Sequence, residues 1–503
     1  MDDHGLDAEV IVVGAGPTGC TVAGLLARAG VSVLVLERHA QVYALPRAVH
    51  FDDEVLRVFT GMGLGPAVRA ISTPGLGMRL VDRRGSVLLE LPRDPTGGSD
   101  GLPEANMFDQ PELEAVLRDD LARQPLVQVR TGSEVVAVTQ PGVAEVRVEL
   151  ADGSGLRGRY VLACDGAGSG VREGLGIGMD ELGSPSTWLV VDVRTTDELD
   201  GWRGVHQVCD GHRAATFMRV GPLRYRWEFA LRPGERPEDL TAPTVLAELL
   251  APWLGGHDLT TWTLVRSTSY TFRARVAQRW SAGRVFLLGD AAHQTPPFLG
   301  QGMCAGVRDA ANLSWKLAMV LSGELAPGVL DTYEQERRPH ATHVIRTAVA
   351  LGRVMAASGT VLGAVRAVAL RGVSHVPGLA HRVATRAWPP LTPGALVHRA
   401  RRSGPSAAGV LVPTPLVRTT EGDRRLDDVL GAGFTTLTAP GSQPSGVQPS
   451  GVQGQGTHLR VVQDRPTAVD EVQDLDGVLT SWFSRHGAAA VTVRPDRAVL
   501  SQR

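Results

Sequence analysis

Four short stretches of this chain carry residue types and spacings that could do chemistry. Residues 14–19 read Gly14-Ala15-Gly16-Pro17-Thr18-Gly19, and Glu37 closes the next apolar run. Residues 165–172 run from Asp165-Gly166 to Arg172. Residues 289–303 hold Gly289-Asp290, His293, Pro296-Pro297, Gly300-Gln301-Gly302 and Met303. Residues 47–53 hold Arg47, His50, Asp52 and Asp53. Glycines spaced like 14, 16 and 19 permit a tight turn, a close approach of backbone to pyrophosphate, and close helix–strand packing. An anion would sit at the helix N-terminus, where free N–H groups and the dipole favour it. Glu37 can accept from ribose hydroxyls, and Arg38 follows it. This is the chemistry of holding a dinucleotide, and it does not separate FAD from NAD(P). His50 is a side chain that can take a proton near neutral pH, or else a partly exposed loop histidine. Asp52 and Asp53 read more simply as N-cap and first-turn acids. The four cysteines are scattered without a CxxC, so neither a metal site nor a disulfide framework is expected.

The elements that must position these residues are legible. Val10–Val13 is a β-branched run, and Val22, Leu25, Leu26 and Ala29 recur near the helical period. Gly30 is a helix stop and residues 31–36 form a second strand, which completes a βαβ unit. Residues 285–288 are a buried strand ending at Gly289-Asp290, and a helix is expected from about Met303. Gln110 and Arg118 lie on a helix begun by Pro111 and Glu112. Residues 223–229 alternate, with Leu223, Tyr225, Trp227 and Phe229 on one face and Arg224, Arg226 and Glu228 on the other, as in a half-buried strand. Tyr225 or Arg226 could bind a phenol or carboxylate; core packing and solvated charge are the competing readings. Tyr270, Phe272 and Arg273 carry the same two readings, and His293 reads as structural.

Together the glycine fingerprint, the Asp165-Gly166 stretch and the Gly289-Asp290 stretch resemble the motifs of the FAD-dependent aromatic hydroxylases, the p-hydroxybenzoate hydroxylase family. PRAVHFDDE, RWEF, YTFRARVAQRW and GDAAHQTPPFLGQGMCAGVRDAANLSWKL are closest in wording to its 3-(3-hydroxyphenyl)propionate hydroxylase subgroup. The resemblance covers about residues 8–390. It implies FAD as cofactor, NADH or NADPH as donor, and O2 adding to reduced flavin as a C4a-hydroperoxide that a phenolic or hydroxylated heteroaromatic ring attacks. It places Asp290 on the ribityl or ribose hydroxyls, and Gln110, Arg47 and Arg118 near FAD. Pro297, beside Pro296, borders the ring; Gly300, Gln301, Gly302 and Met303 bring backbone N–H groups and a helix dipole to its pyrimidine edge. His50 and the strand bearing Tyr225 and Arg226 then border the substrate. Cys304 stands where many relatives carry Asn. A flavin-dependent halogenase is a competing reading, but no WxWxIP segment occurs. A non-hydroxylating flavin oxidoreductase is another. The substrate is a 3-(3-hydroxyphenyl)propionate-like acid or a natural-product intermediate.

With 503 residues, 43% hydrophobic and 21% charged, the chain can bury a large core. A net charge of −2 gives no footprint of nucleic-acid binding. The apolar runs are far shorter than the ~20 residues of a membrane span, and the N-terminus lacks signal-peptide features; a cytoplasmic protein is expected. The expected fold class is α/β, with a Rossmann-like FAD-binding domain over 1–72, 107–175 and 283–330. A mostly antiparallel α+β substrate domain spans 73–106 and 176–282, and a helical region spans 331–395, with Pro339 as an interruption. Residues 396–503 resemble a cysteine-free, thioredoxin-like C-terminal domain with a packing or dimer-forming role, and a homodimer is one expectation. Residues 399–409 read as a linker, and 441–456 as a low-complexity surface loop.

Overall fold

The structure is a computed structural model describing the chain except residues 1–4, 42–46, 99, 143, 200, 222, 358–359, 376–388, 400–404 and 443–456. Most of the expected low-complexity loop, most of the first half of the expected linker and Pro46 therefore lie outside the described residues.

Val10–Val13 pairs in parallel with Val33–Glu37 on one side and with Tyr160–Ala163 on the other. Val127–Thr131 and Val285–Leu287 extend this sheet in parallel on its two sides, and Ser281–Ala282 adds an antiparallel edge. Strands covered on both faces read as unbroken apolar runs, which is why VIVV and VLVLE are buried throughout. The helix Pro17–Arg28 makes the first crossover, with Pro at its first turn, where the missing N–H costs nothing. The helix Gly302–Leu321 packs on it so tightly that a Cβ on Gly306 would overlap the Thr18 hydroxyl.

An eight-stranded sheet lies over one end of this layer. Its order is His293–Gln294, Thr263–Ala277, Met179–Arg194, Arg224–Ala230, Ala215–Gly221, Val205–Val208, Gly77–Val81 and Val87–Pro92. All neighbours are antiparallel except Val205–Val208 with Gly77–Val81. One face buries Leu189, Val191, Phe217, Tyr225, Trp227 and Phe229 together with Leu246 and Leu250 of the helix Pro243–Leu250. The opposite face roofs a cavity. Its edge strand, His293–Gln294, belongs to the Gly289-Asp290 stretch, so the roof is anchored to the sheet beneath it.

The helix Asp331–Ala356 runs through Pro339 without ending, which corrects the interruption expected there. Proline removes one hydrogen bond, and the buried residues Tyr333, Glu336, Arg337, Ala341, Val344 and Ile345 hold the helix on both sides of it. A further helix spans Thr360–His375.

The C-terminal unit has a seven-stranded sheet of order Gly422–Arg425, Leu416–Thr419, Glu471–Asp474, Thr457–Val462, Thr435–Thr438, Ala490–Val493 and Val499–Gln502. The helix Val478–His486 buries Leu479, Trp482 and Phe483 against it. This unit is tied to the rest by polar contacts that bury charge. Arg57 donates to Asp427 and to the Val412 carbonyl, and Arg494 pairs with Glu336 at 2.8 Å.

Candidate active site

A cavity of about 880 Å³ lies between the two large sheets, at the upper end of the size range of ligand pockets. Three walls come from the stretches singled out by sequence.

The first wall is the glycine turn. Gly14 has φ +100°, and a Cβ there would sit 2.5 Å from the Cys164 carbonyl oxygen. Glycine is therefore required at 14 for the turn itself. A Cβ on Gly19 would overlap the Gly14 carbonyl. Gly16 differs: nothing of the protein lies within 4 Å of its Cβ direction, and Gly16, Pro17 and Thr18 all line the cavity. Its free side faces the space that an anion would occupy at the N-terminus of Pro17–Arg28, where no side chain caps the helix. Glu37 stands at the end of its strand as expected, and its carboxylate braces the turn by accepting from Ala15 N (2.8 Å) and His39 N (2.9 Å). Arg118 donates to the Ala15 carbonyl at 3.1 Å.

The second wall joins the two Gly/Asp loops. Asp165 Oδ2 accepts from Val171 N, while its buried Oδ1 has no partner. Gly166 follows at φ +83° and lines the cavity. Arg172 donates to the carbonyls of Ala167 and Ala291, which lashes this loop to the Gly289-Asp290 turn. That turn is held from behind by Asp309, which accepts from Gly289 N (3.1 Å), His293 (2.6 Å) and Arg337 (2.9 Å). His293 is structural, as read from sequence. Asp290 is exposed and faces the cavity, and desolvation by the surrounding walls raises the pKa of its carboxyl.

The third wall is the Pro-Pro, Gly-Gln-Gly segment. Pro297–Leu299 forms one 3-10 turn, and Gly300 reverses the chain at φ +64°. A Cβ on Gly300 would lie 2.9 Å from His50 Nδ1. Glycine therefore lets the loop close on His50, whose Nδ1 is 3.4 Å from the Gly300 carbonyl. With that nitrogen directed at a carbonyl, Nε2 is the ring position left to accept a proton. Burial lowers the His50 pKa and outweighs the opposing pull of Asp52. Gln301 is buried, and its side chain closes a network that sequence reading missed. Arg308 donates to Gln301 Oε1 (2.9 Å), to Asp52 and to Glu54, while Gln301 Nε2 donates to Asp52 at 3.1 Å. Asp52 also caps its helix through Val55 N, as expected. Gly302 and Met303 open the helix at the cavity wall. Cys304 is buried beneath them, its thiol pushed up by desolvation and directed at the Gly300 and His50 carbonyls.

Gln110 lines the cavity and organises its neighbour: Oε1 accepts from the backbone N–H groups of Arg47 and Ala48, while Nε2 donates to Glu114. The roof above is built from Val190, Thr216, Met218, Arg226 and Glu228, with Tyr270, Phe272 and Arg273 from the neighbouring strand. Two sequence expectations are corrected here. Tyr225 is on the opposite face of the sheet, fully buried against Phe217 and Trp227, with its hydroxyl donating to the Asp197 carbonyl. Strand alternation forbids Tyr225 and Arg226 from sharing a face. Arg226 does reach the cavity, but its guanidinium is engaged by Asp192 (2.7 Å) and the Arg47 carbonyl (3.0 Å), so it braces the wall. Arg38 is exposed beside His39, outside the cavity lining.

A dinucleotide fits these walls: an uncapped helix N-terminus beside a bare Gly16 face, and an acid at 290 turned toward the cavity. Among the described residues no cluster of acids, histidines or cysteines could hold a metal, and no helix is long and apolar enough to cross a membrane.

Comparison with known proteins agrees with this geometry. Residues 7–348 match the family model described as FAD binding domain, and residues 409–502 match that of the HcaD C-terminal domain. A 3-(3-hydroxy-phenyl)propionate/3-hydroxycinnamic acid hydroxylase of Burkholderia vietnamiensis is 36% identical over 98% of this chain and 93% of its own length. A protein of Rhodococcus jostii named as a probable NADH-specific resorcinol 4-hydroxylase is 35% identical over 98% and 91%. The solved structure of aklavinone-11 hydroxylase with FAD and aklavinone is similar at a TM-score of 0.78 and 28% identity, covering 100% of this chain and 96% of that one.

Proposed function

Because the chain belongs to the family of FAD-dependent aromatic hydroxylases, we propose that its cavity holds a phenolic or hydroxylated heteroaromatic ring beside FAD and directs oxygen into it. The observation that carries this reading is the contact between His50 and Gly300, which puts a proton acceptor against the loop that would border the flavin. FAD, when bound, supplies the transfer of electrons from NADH or NADPH and the activation of O2. The chain's own residues bind, orient and exclude water. Gly16 and Pro17 offer the helix N-terminus to the pyrophosphate, and Asp290 faces the ribityl or ribose hydroxyls. Gly300–Met303 presents backbone donors and the positive end of a helix to the ring. Val190, Met107, Met218 and Phe272 keep the substrate space apolar. His50 Nε2 accepts the phenol proton, which makes the ring carbon more nucleophilic.

The division into an FAD-binding unit (1–72, 107–175, 283–330), a substrate unit (73–106, 176–282), a helical region (331–395) and a C-terminal unit (396–503) remains part of this reading. The parallel order around Val10–Val13 supports a Rossmann-like first unit. The run Thr457–Val462, Thr435–Thr438, Ala490–Val493, Val499–Gln502, parallel and then antiparallel, supports a thioredoxin-like last one.

Stopped-flow reduction of the flavin by NADH and by NADPH, with a panel of phenols that includes resorcinol and 3-(3-hydroxyphenyl)propionate, tests the reading. One phenol is expected to accelerate reduction and to gain one oxygen atom by mass spectrometry. If every phenol leaves the rate unchanged and all electrons appear as hydrogen peroxide, the reading is wrong.

A further inference from the structure

One acid in the cavity has no task in the scheme above. Glu228 is only 5% exposed and lines the cavity roof. It lies at the centre of the sheet, directly opposite Val190 on one neighbouring strand and Thr216 on the other. Several of its polar neighbours pair with one another. Asp192 takes Arg226 at 2.7 Å and Arg266 at 3.3 Å. Thr216 donates to Gln207 Oε1 at 2.7 Å, and Gln207 donates to the Phe298 carbonyl at 3.1 Å. Among the described residues the Glu228 carboxyl makes no hydrogen bond; Arg226 and Arg266 act on it as nearby charges, and burial raises its pKa. A carboxyl that lines a cavity without a hydrogen bond from the chain is open to one from a bound molecule. The Gln207 link also fixes the height of the roof, because it pins the strand Val205–Val208 to the Pro297–Leu299 turn. Glu228 is two strands from Gln207, or roughly 10 Å by ordinary strand spacing, which is within the reach of an aromatic ring lying under the roof.

We infer that Glu228 is a substrate-binding residue whose carboxyl takes a hydrogen bond from a hydroxyl group on the aromatic ring. The inference rests on the hydroxylase reading and narrows its substrate class. Glu228 favours rings bearing a second hydroxyl, of the resorcinol type, over rings that turn bare hydrocarbon toward it. A hydroxyl placed against Glu228 supplies the donor that the chain does not.

The test compares two probes that differ by one hydroxyl, resorcinol and phenol. Their Kd values are read from the perturbation of flavin absorbance in the full-length, FAD-loaded protein, without turnover. Resorcinol is expected to bind the wild type about tenfold or more tighter than phenol. Glu228→Leu is expected to abolish that preference while leaving the phenol Kd within about threefold. Glu228→Gln, which keeps an acceptor oxygen, is expected to retain part of it. If Glu228 served only to balance the charge of Arg226 and Arg266, both probes would weaken together and the preference would survive in Glu228→Leu; that result overturns the inference. Should the leucine variant fail to accumulate, an unchanged preference in Glu228→Ala, which also removes the acceptor, overturns it equally. Failure of the hydroxylase reading looks different: the wild type would bind phenols without oxygenating any of them.

Discussion

His50 carries the most chemistry of any side chain near the Gly300 loop. Burial holds its pKa below the ordinary value of 6.5, so the ring is neutral at pH 7 and its Nε2 can take a proton. The folded pKa lies below the unfolded one. The neutral ring's contribution to stability is therefore complete above pH 6.5 and is lost as pH falls through the folded value. Activity should follow the same direction, with the acid limb of the single-turnover hydroxylation rate lying below pH 6.5. His50→Asn is expected to lower that rate by about 10²-fold while leaving flavin reduction by the nicotinamide donor within about twofold. An unchanged oxygenation rate would remove His50 from the mechanism. At this scale the sequence was legible where backbone chemistry demanded a residue type, as at Gly14 and Gly300. It was less legible where only a side chain's direction mattered. The alternation through residues 223–229 was visible, yet nothing local said which face met the cavity. Of the two readings open for Tyr225, core packing is the one its face of the strand supports, and Glu228 on the cavity face carries no distinguishing local signal.

Among the elements, the glycine turn separates two roles that one motif combines. Gly14 serves the fold, since its positive φ and the Cys164 carbonyl leave no room for a side chain. Gly16 serves the ligand, since its Cβ direction is open. Gly14→Ala is expected to destabilise the FAD-free protein by about 2 kcal/mol or more. Gly16→Ala should leave the melting temperature of the FAD-free protein unchanged and weaken FAD binding at least about tenfold, because the added methyl fills the approach to the pyrophosphate. Melting curves of the stripped proteins, and FAD titration by fluorescence quenching, measure the two effects apart. Equal losses of stability in both variants would contradict this division. The βαβ unit and the helix after Gly302 were readable because periodicity and punctuation agree locally. The clamp of Asp52, Glu54, Gln301 and Arg308 was not, because its partners are some 250 positions apart and each has a sufficient local explanation. Asp52 caps a helix whether or not Arg308 is present.

Across the whole molecule, the nucleotide layer and the C-terminal sheet share a buried charge cluster. Glu336, on the helix through Pro339, accepts from Lys316 (2.9 Å) and Asn312 (2.8 Å) of Gly302–Leu321, and from Arg494 of the C-terminal unit (2.8 Å). Lys316 and Arg494 have no solvent exposure. Desolvation alone would raise the Glu336 pKa, but Arg494 and Lys316 outweigh it and hold the carboxyl at about 2. Against the ordinary 4.5, this downward shift makes the ionised carboxylate a net stabiliser at neutral pH. The folded pKa is the lower one, so the contribution is full above pH 4.5 and drains away as pH falls toward 2. Glu336→Gln leaves Lys316 and Arg494 short of a counter-charge and is expected to cost about 3–5 kcal/mol at pH 7. Because the cluster bridges two sheets, the loss should also uncouple them. Calorimetry of the wild type at pH 7 should give one transition, and that of the variant an early transition of the C-terminal unit followed by a later one. Denaturant titrations between pH 7 and pH 3 should show the gap between the two proteins narrowing only below pH 4.5. A gap constant over that range would mean that the cluster stabilises through packing and not through the charge on Glu336.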